Sequence, residues 1–222
     1  MNQRTRIKIC GLRTERDVQA AVEAGADAVG FVFAPSSPRY LEPDAAADLA
    51  CILPPFVQAV GLFVDQKATD VAAIAGDACL DLVQLHGRED RRLVEEVREQ
   101  WPVIKAVRFS PDAITLWGAE TNLDLLLVDG SDGGRGKTCD WAALAAMRHQ
   151  IKAPLMLAGG LTPDNVAEAI RTVRPYAVDV SSGVEIERGV KDPALIRAFC
   201  AAVREADRWI LDPAESSEGG SA

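Results

Sequence analysis

A thiol, an amine and a carboxylate are the first groups in this chain with chemistry to offer. The segment Ile7-Lys8-Ile9-Cys10-Gly11 is a short, mostly apolar run that ends at glycine. Side chains of an extended strand alternate between faces, so Lys8 and Cys10 share one side and the two isoleucines the other. A free thiol titrates near about 8.5, and a neighbouring positive charge lowers that value. Lys8 is therefore expected to help Cys10 reach a thiolate able to take a proton from carbon. The plainer role, a small buried core residue, stays open. A second run, Leu125-Leu126-Leu127-Val128-Asp129-Gly130, puts Leu125, Leu127 and Asp129 on one face. A carboxyl there is costly to bury without a partner or a purpose. Asp129 reads either as a helix cap or loop hydrogen bond, or as a general acid with a raised pKa.

Glycines supply the next candidates. Ala158-Gly159-Gly160-Leu161-Thr162-Pro163 and Asp179-Val180-Ser181-Ser182-Gly183 each follow an apolar run. Turns of this kind expose backbone N–H groups, and such groups beside a helix start make an anion site. The stretch Asp132-Gly133-Gly134-Arg135-Gly136-Lys137 could add further N–H groups or close over a ligand. Arg39, in the proline-flanked segment Pro35-Ser36-Ser37-Pro38-Arg39, could hold a carboxylate through two parallel hydrogen bonds, or be a solvated surface charge. Gln84 and His86 share a face at the end of another run, where a structural histidine and a ligand contact are both open.

These residues need elements to hold them. Apolar runs at 6–10, 28–33, 58–63, 80–85, 103–107, 124–129, 154–158 and 176–180 read as strands. Amphipathic, alanine-rich stretches at 14–24, 43–51, 69–75, 89–100, 111–117, 140–150, 162–172 and 193–205 read as helices. Thr14, Asp140 and Thr162 can cap, and Pro43, Pro111 and Pro163 suit a first turn. Strand then helix, eight times over, predicts α/β architecture with a parallel sheet. This length suits a closed (β/α)8 TIM barrel, whose active sites lie at the C-terminal strand ends. An open doubly wound sheet is the alternative, but no glycine-rich dinucleotide fingerprint follows the first strand. Residues 1–211 are expected to form one catalytic barrel domain, and the small, polar stretch 212–222 a disordered tail. Around an eight-membered ring, strands six, seven, eight and one are consecutive. Asp129 and Cys10 would then flank the glycine-rich anion loops, with Arg39 on the far side of Cys10.

Composition narrows the class. The chain has 222 residues, 24 Lys and Arg against 33 Asp and Glu, and a net charge of -9. That balance disfavours a nucleic-acid partner, and any phosphate must be held by locally placed N–H groups and cations. The 5 cysteines are an odd, widely spaced set with no CxxC, and only 2 histidines occur. A disulfide framework, a zinc site and a histidine-based metal centre are therefore not expected. There is no signal-peptide pattern and no run long enough to span a bilayer. The expected compartment is the reducing cytoplasm, with no membrane partner.

The segments KICGL, FAPSSPRY, VQLHG, LVDGSDGGRGKTCDW, LAGGLTPDNV and DVSSGVE, in this order, resemble the phosphoribosylanthranilate isomerase family of tryptophan biosynthesis. The likeness runs from about residue 7 to residue 199. It implies an aldose–ketose isomerase that carries out an Amadori rearrangement on N-(5-phosphoribosyl)anthranilate. The implied product is 1-(2-carboxyphenylamino)-1-deoxyribulose 5-phosphate. The resemblance makes Asp129 the general acid toward the ring oxygen and Cys10 the general base toward the sugar C2 proton. It gives Arg39 the anthranilate carboxylate, and Gly160, Ser182 and Gly183 the phosphate. His86 and Asp179 are implied sugar or supporting contacts, and Gln84, on the strand face of His86, is expected to bind substrate. No metal or coenzyme is implied, because the substrate nitrogen acts as the electron sink. The partner is then a small anionic sugar phosphate, acted on by a monomer or homodimer. Two positions depart from the family pattern: Arg135 stands where a small hydroxyl residue is usual, and Cys139 where phenylalanine is usual.

Rival barrels fit less well. A pentose-phosphate epimerase would usually show metal-binding histidines. Indole-glycerol-phosphate synthase needs a catalytic lysine at a strand exit, and Lys105 lies mid-strand. Activity on the histidine-pathway sugar phosphate uses paired aspartates, where this chain has Cys10. A non-catalytic phosphometabolite-binding barrel would keep the glycine loops and lose the acid or the base.

Overall fold

The computed structural model of the protein describes residues 4–130 and 140–211. The expectations for the tail at 212–222, and for Arg135, Cys139 and the rest of the loop after strand six, lie outside the described residues. Eight parallel strands close into a barrel in sequence order: β1 (Arg6–Cys10), β2 (Ala28–Val32), β3 (Gln58–Phe63), β4 (Leu82–Leu85), β5 (Val103–Arg108), β6 (Leu125–Asp129), β7 (Leu155–Ala158) and β8 (Ala177–Val180). Closure is made by β1 against β8, with Lys8 opposite Asp179. The open-sheet alternative is thereby excluded.

Helices follow the strands: α1 (Glu15–Glu23), α2 (Pro43–Cys51), α3 (Ala68–Asp77), α4 (Arg91–Arg98), α5 (Pro111–Gly118), α6 (Trp141–Met147), α7 (Val166–Val173) and α8 (Pro193–Leu211). Thr14, Ser110 and Asp140 cap α1, α5 and α6 by accepting from the N–H three residues on. Two starts differ from the sequence expectation. α7 begins at Val166, because Asn165 folds the preceding turn: its Oδ1 accepts from Thr162 N at 2.8 Å and its Nδ2 donates to Gly160 O at 2.9 Å. Thr162 and Pro163 therefore belong to the loop. α4 begins at Arg91, because Glu89 turns inward and Asp90 takes the cap. After β8 comes a short 3-10 turn (Ser182–Val184), then a hairpin of β9 (Glu185–Glu187) and β10 (Val190–Lys191) that the apolar pattern did not announce.

The core has two layers because strand side chains alternate. Val60, Ile104, Leu125, Leu127 and Met156 fill the barrel axis with three alanines. The other face of the strands, including Ile7, Ile9, Val83 and Leu126, packs against the helices. At the entry rim, one aspartate ahead of an even-numbered strand satisfies a backbone N–H of its neighbour. Asp27 accepts from Ile7 N at 2.9 Å, Asp81 from Ala59 N at 2.8 Å and Asp124 from Val103 N at 2.9 Å. Buried N–H groups need such partners. Among the described residues no helix is long and apolar enough to cross a membrane.

One buried ion pair fastens the exits of β4 and β5. Lys105 Nζ, on a side chain 2% exposed, donates to Glu89 Oε2 at 2.6 Å and to Gly87 O at 3.0 Å. Glu89 also accepts from the backbone N–H groups of Asp65 and Gly87. Removing one member of a buried pair strands the other charge. Glu89→Ala is expected to lower unfolding free energy by about 3 kcal/mol or more in urea titration. A loss below about 1 kcal/mol would show that Lys105 is not held by this pair.

Candidate active site

Cys10 ends β1 at the exit rim, 3% exposed and packed with Val32 and Ala34. One layer below, Lys8 is 1% exposed, and its Nζ donates to Asp179 Oδ1 at 2.8 Å. Burial pushes the Cys10 thiol above its usual value; Lys8 pulls it down, Asp179 adds to the rise, and Lys191 pulls it down. The expectation of a lowered thiol pKa is thus corrected. Stripping water from a thiolate outweighs the adjacent cation. Gly30 of β2 makes room for the pair: a Cβ there would stand 2.8 Å from Cys10 Sγ and 3.2 Å from Lys8 Nζ.

Asp129 ends β6 with its side chain 20% exposed, and its Oδ2 lies 3.3 Å from His86 Nε2. His86 Nδ1 meets Gln84 Nε2 at 2.8 Å. The contact between the Gln84 amide and Nδ1 holds the imidazole with its Nε2 toward Asp129. Gln84 is wholly buried and does not reach the cavity, so its expected role as a ligand contact is corrected. It lies two residues before His86 on the same strand face, one layer deeper, and bears on the site only through the imidazole.

The loops after β7 and β8 form the floor between these groups. Gly159 and Gly160 take φ of 87° and 66°, a region costly for residues with a Cβ. Gly183 is required for a different reason, since a Cβ there would collide with the carbonyl of Leu161. The hairpin of β9 and β10 leans over this floor. Glu185 Oε1 and Oε2 accept from Arg39 Nε and Nη2, each at 2.7 Å. Lys191 Nζ donates to Glu185 Oε1 at 2.7 Å and to Ser181 O at 2.9 Å. Burial raises the Glu185 carboxyl, but Arg39, Lys191 and the N–H of Gly189 outweigh it and hold the group at about 2. Arg39 was expected to hold a carboxylate through two parallel hydrogen bonds. Its Nε–Nη2 edge is taken by Glu185, which leaves the end edge, with one N–H each from Nη1 and Nη2, for a ligand.

Cys10, Arg39, His86, Asp129, Gly160, Asp179, Ser182 and Gly183 all line one cavity of about 460 Å³ at the C-terminal rim. That volume lies in the usual range for small-molecule sites. Asp179 reaches it only with a carboxyl already bonded to Lys8. Lys105, the candidate lysine of a synthase, is bound to Glu89 instead. Among the described residues no group of three or more His, Cys, Asp or Glu side chains is arranged to hold a metal.

Residues 7–202 match the family model of N-(5'-phosphoribosyl)anthranilate (PRA) isomerase. The chain belongs to this family. A relative from Dechloromonas aromatica, named N-(5'-phosphoribosyl)anthranilate isomerase, is 47% identical over 213 residues, covering 93% of this chain and all of its own length. A crystal structure of a phosphoribosylanthranilate isomerase in complex with reduced 1-(o-carboxyphenylamino)-1-deoxyribulose 5-phosphate superposes with TM-score 0.81 at 40% identity, covering 90% of this chain and 99% of that one. A structure of monomers generated from the dimeric isomerase of Thermotoga maritima gives TM-score 0.80 at 37% identity, covering 90% and 98%. The chain is accordingly an isomerase of tryptophan biosynthesis, of the class that converts an aldose to a ketose.

In this PRA isomerase family member, several site residues carried no signal in the sequence. Arg188 and Lys191 sit in a short charged hairpin that has no hydrophobic period, yet Arg188 lines the cavity and Lys191 ties its rim to Glu185, the end of the DVSSGVE segment, to which the sequence reading gave no role. Gly30 is an ordinary strand glycine until the sulfur opposite is known. Asn165 follows Pro163 in what reads as a helix. Gly30→Ala is expected to cut turnover about 10- to 100-fold by displacing Cys10 and Lys8, while the circular dichroism spectrum is kept. Gly76→Ala, whose Cβ would meet nothing within 4 Å, is the control. Equal turnover in the two variants would refute the crowding argument.

Proposed function

We propose that the rim cavity binds N-(5-phosphoribosyl)anthranilate and that Asp129 and Cys10 rearrange it to 1-(2-carboxyphenylamino)-1-deoxyribulose 5-phosphate. The supporting observation is that Cys10 and Asp129 open onto one cavity, with the glycine loops of β7 and β8 between them in ring order. Asp129, as the carboxylic acid, gives its proton to the furanose oxygen. The C1–O bond breaks with its electron pair on oxygen, and the nitrogen lone pair forms an iminium. The Cys10 thiolate removes the C2 proton. Those electrons form C1=C2, and the iminium π pair returns to nitrogen as an enolamine. Loss of the enol proton and gain of a proton at C1 give the ketone. The nitrogen is the electron sink throughout, so these proton transfers call for no metal or coenzyme.

The remaining groups position the substrate. N–H groups around Gly160, Ser182 and Gly183 receive the phosphate. The end edge of Arg39, left free by Glu185, receives the anthranilate carboxylate, and His86 orients Asp129 and contacts the sugar. Asp179 acts from behind, by holding Lys8 beneath the thiol. Residues 1–211 work as one catalytic unit in this reading, and the reaction runs in the cytoplasm, consistent with the cysteine pattern; cell fractionation tests the location.

The assay is loss of fluorescence from freshly made phosphoribosylanthranilate. Cys10→Ala and Asp129→Asn are each expected to reduce kcat by about 10²-fold or more with the fold intact. Arg39→Ala is expected chiefly to raise KM. Near-normal turnover in either of the first two would remove that residue from the mechanism.

A further inference from the structure

The side chain with the densest set of donors at the rim is Glu185, to which the chemistry above assigns nothing. Its carboxyl takes two hydrogen bonds from Arg39, one from Lys191 and one from the N–H of Gly189, at 2.7, 2.7, 2.7 and 3.1 Å. The side chain is 4% exposed. Arg39 comes from the loop after β2, and Glu185 and Lys191 come from the hairpin after β8, so these bonds join two loops on either side of β1. Gly189 brings the same loops into contact through backbone: a Cβ there would stand 2.9 Å from Pro38 O. The bond to Arg39 is bidentate, which fixes direction as well as distance.

We infer that Glu185 is a positioning residue that selects substrates bearing an aryl carboxylate, by locking Arg39 so that only its end edge, one N–H each from Nη1 and Nη2, is left for the ligand. A guanidinium is planar and offers its donors along separate edges. With the Nε–Nη2 edge committed to Glu185, no rotation of Arg39 can present that edge to the cavity. An incoming carboxylate is then received in a single direction, across the cavity mouth beside Cys10. A freely rotating arginine would bind any anion, phosphate included, in several poses. The described charges around the thiol support the same division of labour. Lys8 pairs with Asp179, Arg39 and Lys191 share Glu185, and Arg188 also lines the cavity, so Glu185 takes one unit from the positive charge that the ligand meets. This inference rests on the proposed substrate, since it assigns the carboxylate to Arg39.

The test compares Glu185→Gln with wild type on two ligands. One is phosphoribosylanthranilate, read as KM and kcat. The other is ribulose 5-phosphate, which has the phosphate and sugar but no aryl carboxylate, read as a competitive inhibition constant. The expected result is a KM raised about tenfold or more with kcat changed by less than about threefold, and an inhibition constant within about twofold of wild type. Arg39→Ala combined with Glu185→Gln should raise KM no further than Arg39→Ala alone, since both act through one interaction. Unchanged KM in Glu185→Gln, equal loss for both ligands, or additive effects in the double variant would each overturn the inference. If Glu185→Gln fails to fold, Glu185→Asp, which keeps the charge and shortens the reach, is read in the same way. Failure of the substrate proposal itself would show separately, as absence of turnover in the wild type.

Discussion

Alternation of side chains along a closed ring of parallel strands is the constraint from which the site follows. Once β1 pairs with both β2 and β8, every second residue must point at the barrel axis. Along most strands that axis is filled by apolar groups such as Leu125, Leu127 and Met156. On β1 the same rule forces Lys8 inward, where a lone ammonium would be intolerable. Asp179 supplies the countercharge from the strand that closes the ring. The cation that lies beneath the thiol is thus made possible by the closure contact itself.

The chemistry draws on that geometry in two opposed ways. Burial disfavours the Cys10 thiolate, yet a buried, hydrogen-bonded scaffold is what keeps the sulfur and the Asp129 carboxyl facing one volume. Asp129 is less buried and sits beside His86, whose orientation comes from Gln84 below. The base lies in a dry, charge-paired niche and the acid at a wetter rim. Burial therefore opposes the base role that the reaction gives Cys10, and Lys8 and Lys191 are the cations that oppose burial.

Much of the frame was legible from residue patterns. The eight apolar runs and their intervening amphipathic stretches carry the strand and helix periods directly, and strand exits follow from them. Hence Cys10, Asp129, Gly160, Ser182 and Gly183 could be placed on one rim by counting faces. Helix boundaries were legible where a local cap sets them, as at Thr14 and Asp140. They failed where a contact outside the helix competes: Glu89 leaves its helix for Lys105, and Asn165 folds a turn back onto Thr162 and Gly160. The glycines show the same division. The Gly159-Gly160 pair advertises a turn, whereas Gly30 is explained only by a sulfur on another strand.

The sequence alone determined which residue types carry the chemistry, which strand faces they share, and the order of the strand exits, because these depend on local period and on connectivity. Tertiary structure decided how charges pair: Lys8 with Asp179, Arg39 with Glu185, Lys191 with Glu185, Lys105 with Glu89. It also decided that burial would raise the Cys10 thiol and that Gln84 would lie a layer too deep to touch a ligand. Both are matters of distance and dehydration between segments far apart in the chain. Their sign depends on how much water the packed barrel leaves, and no local pattern records that.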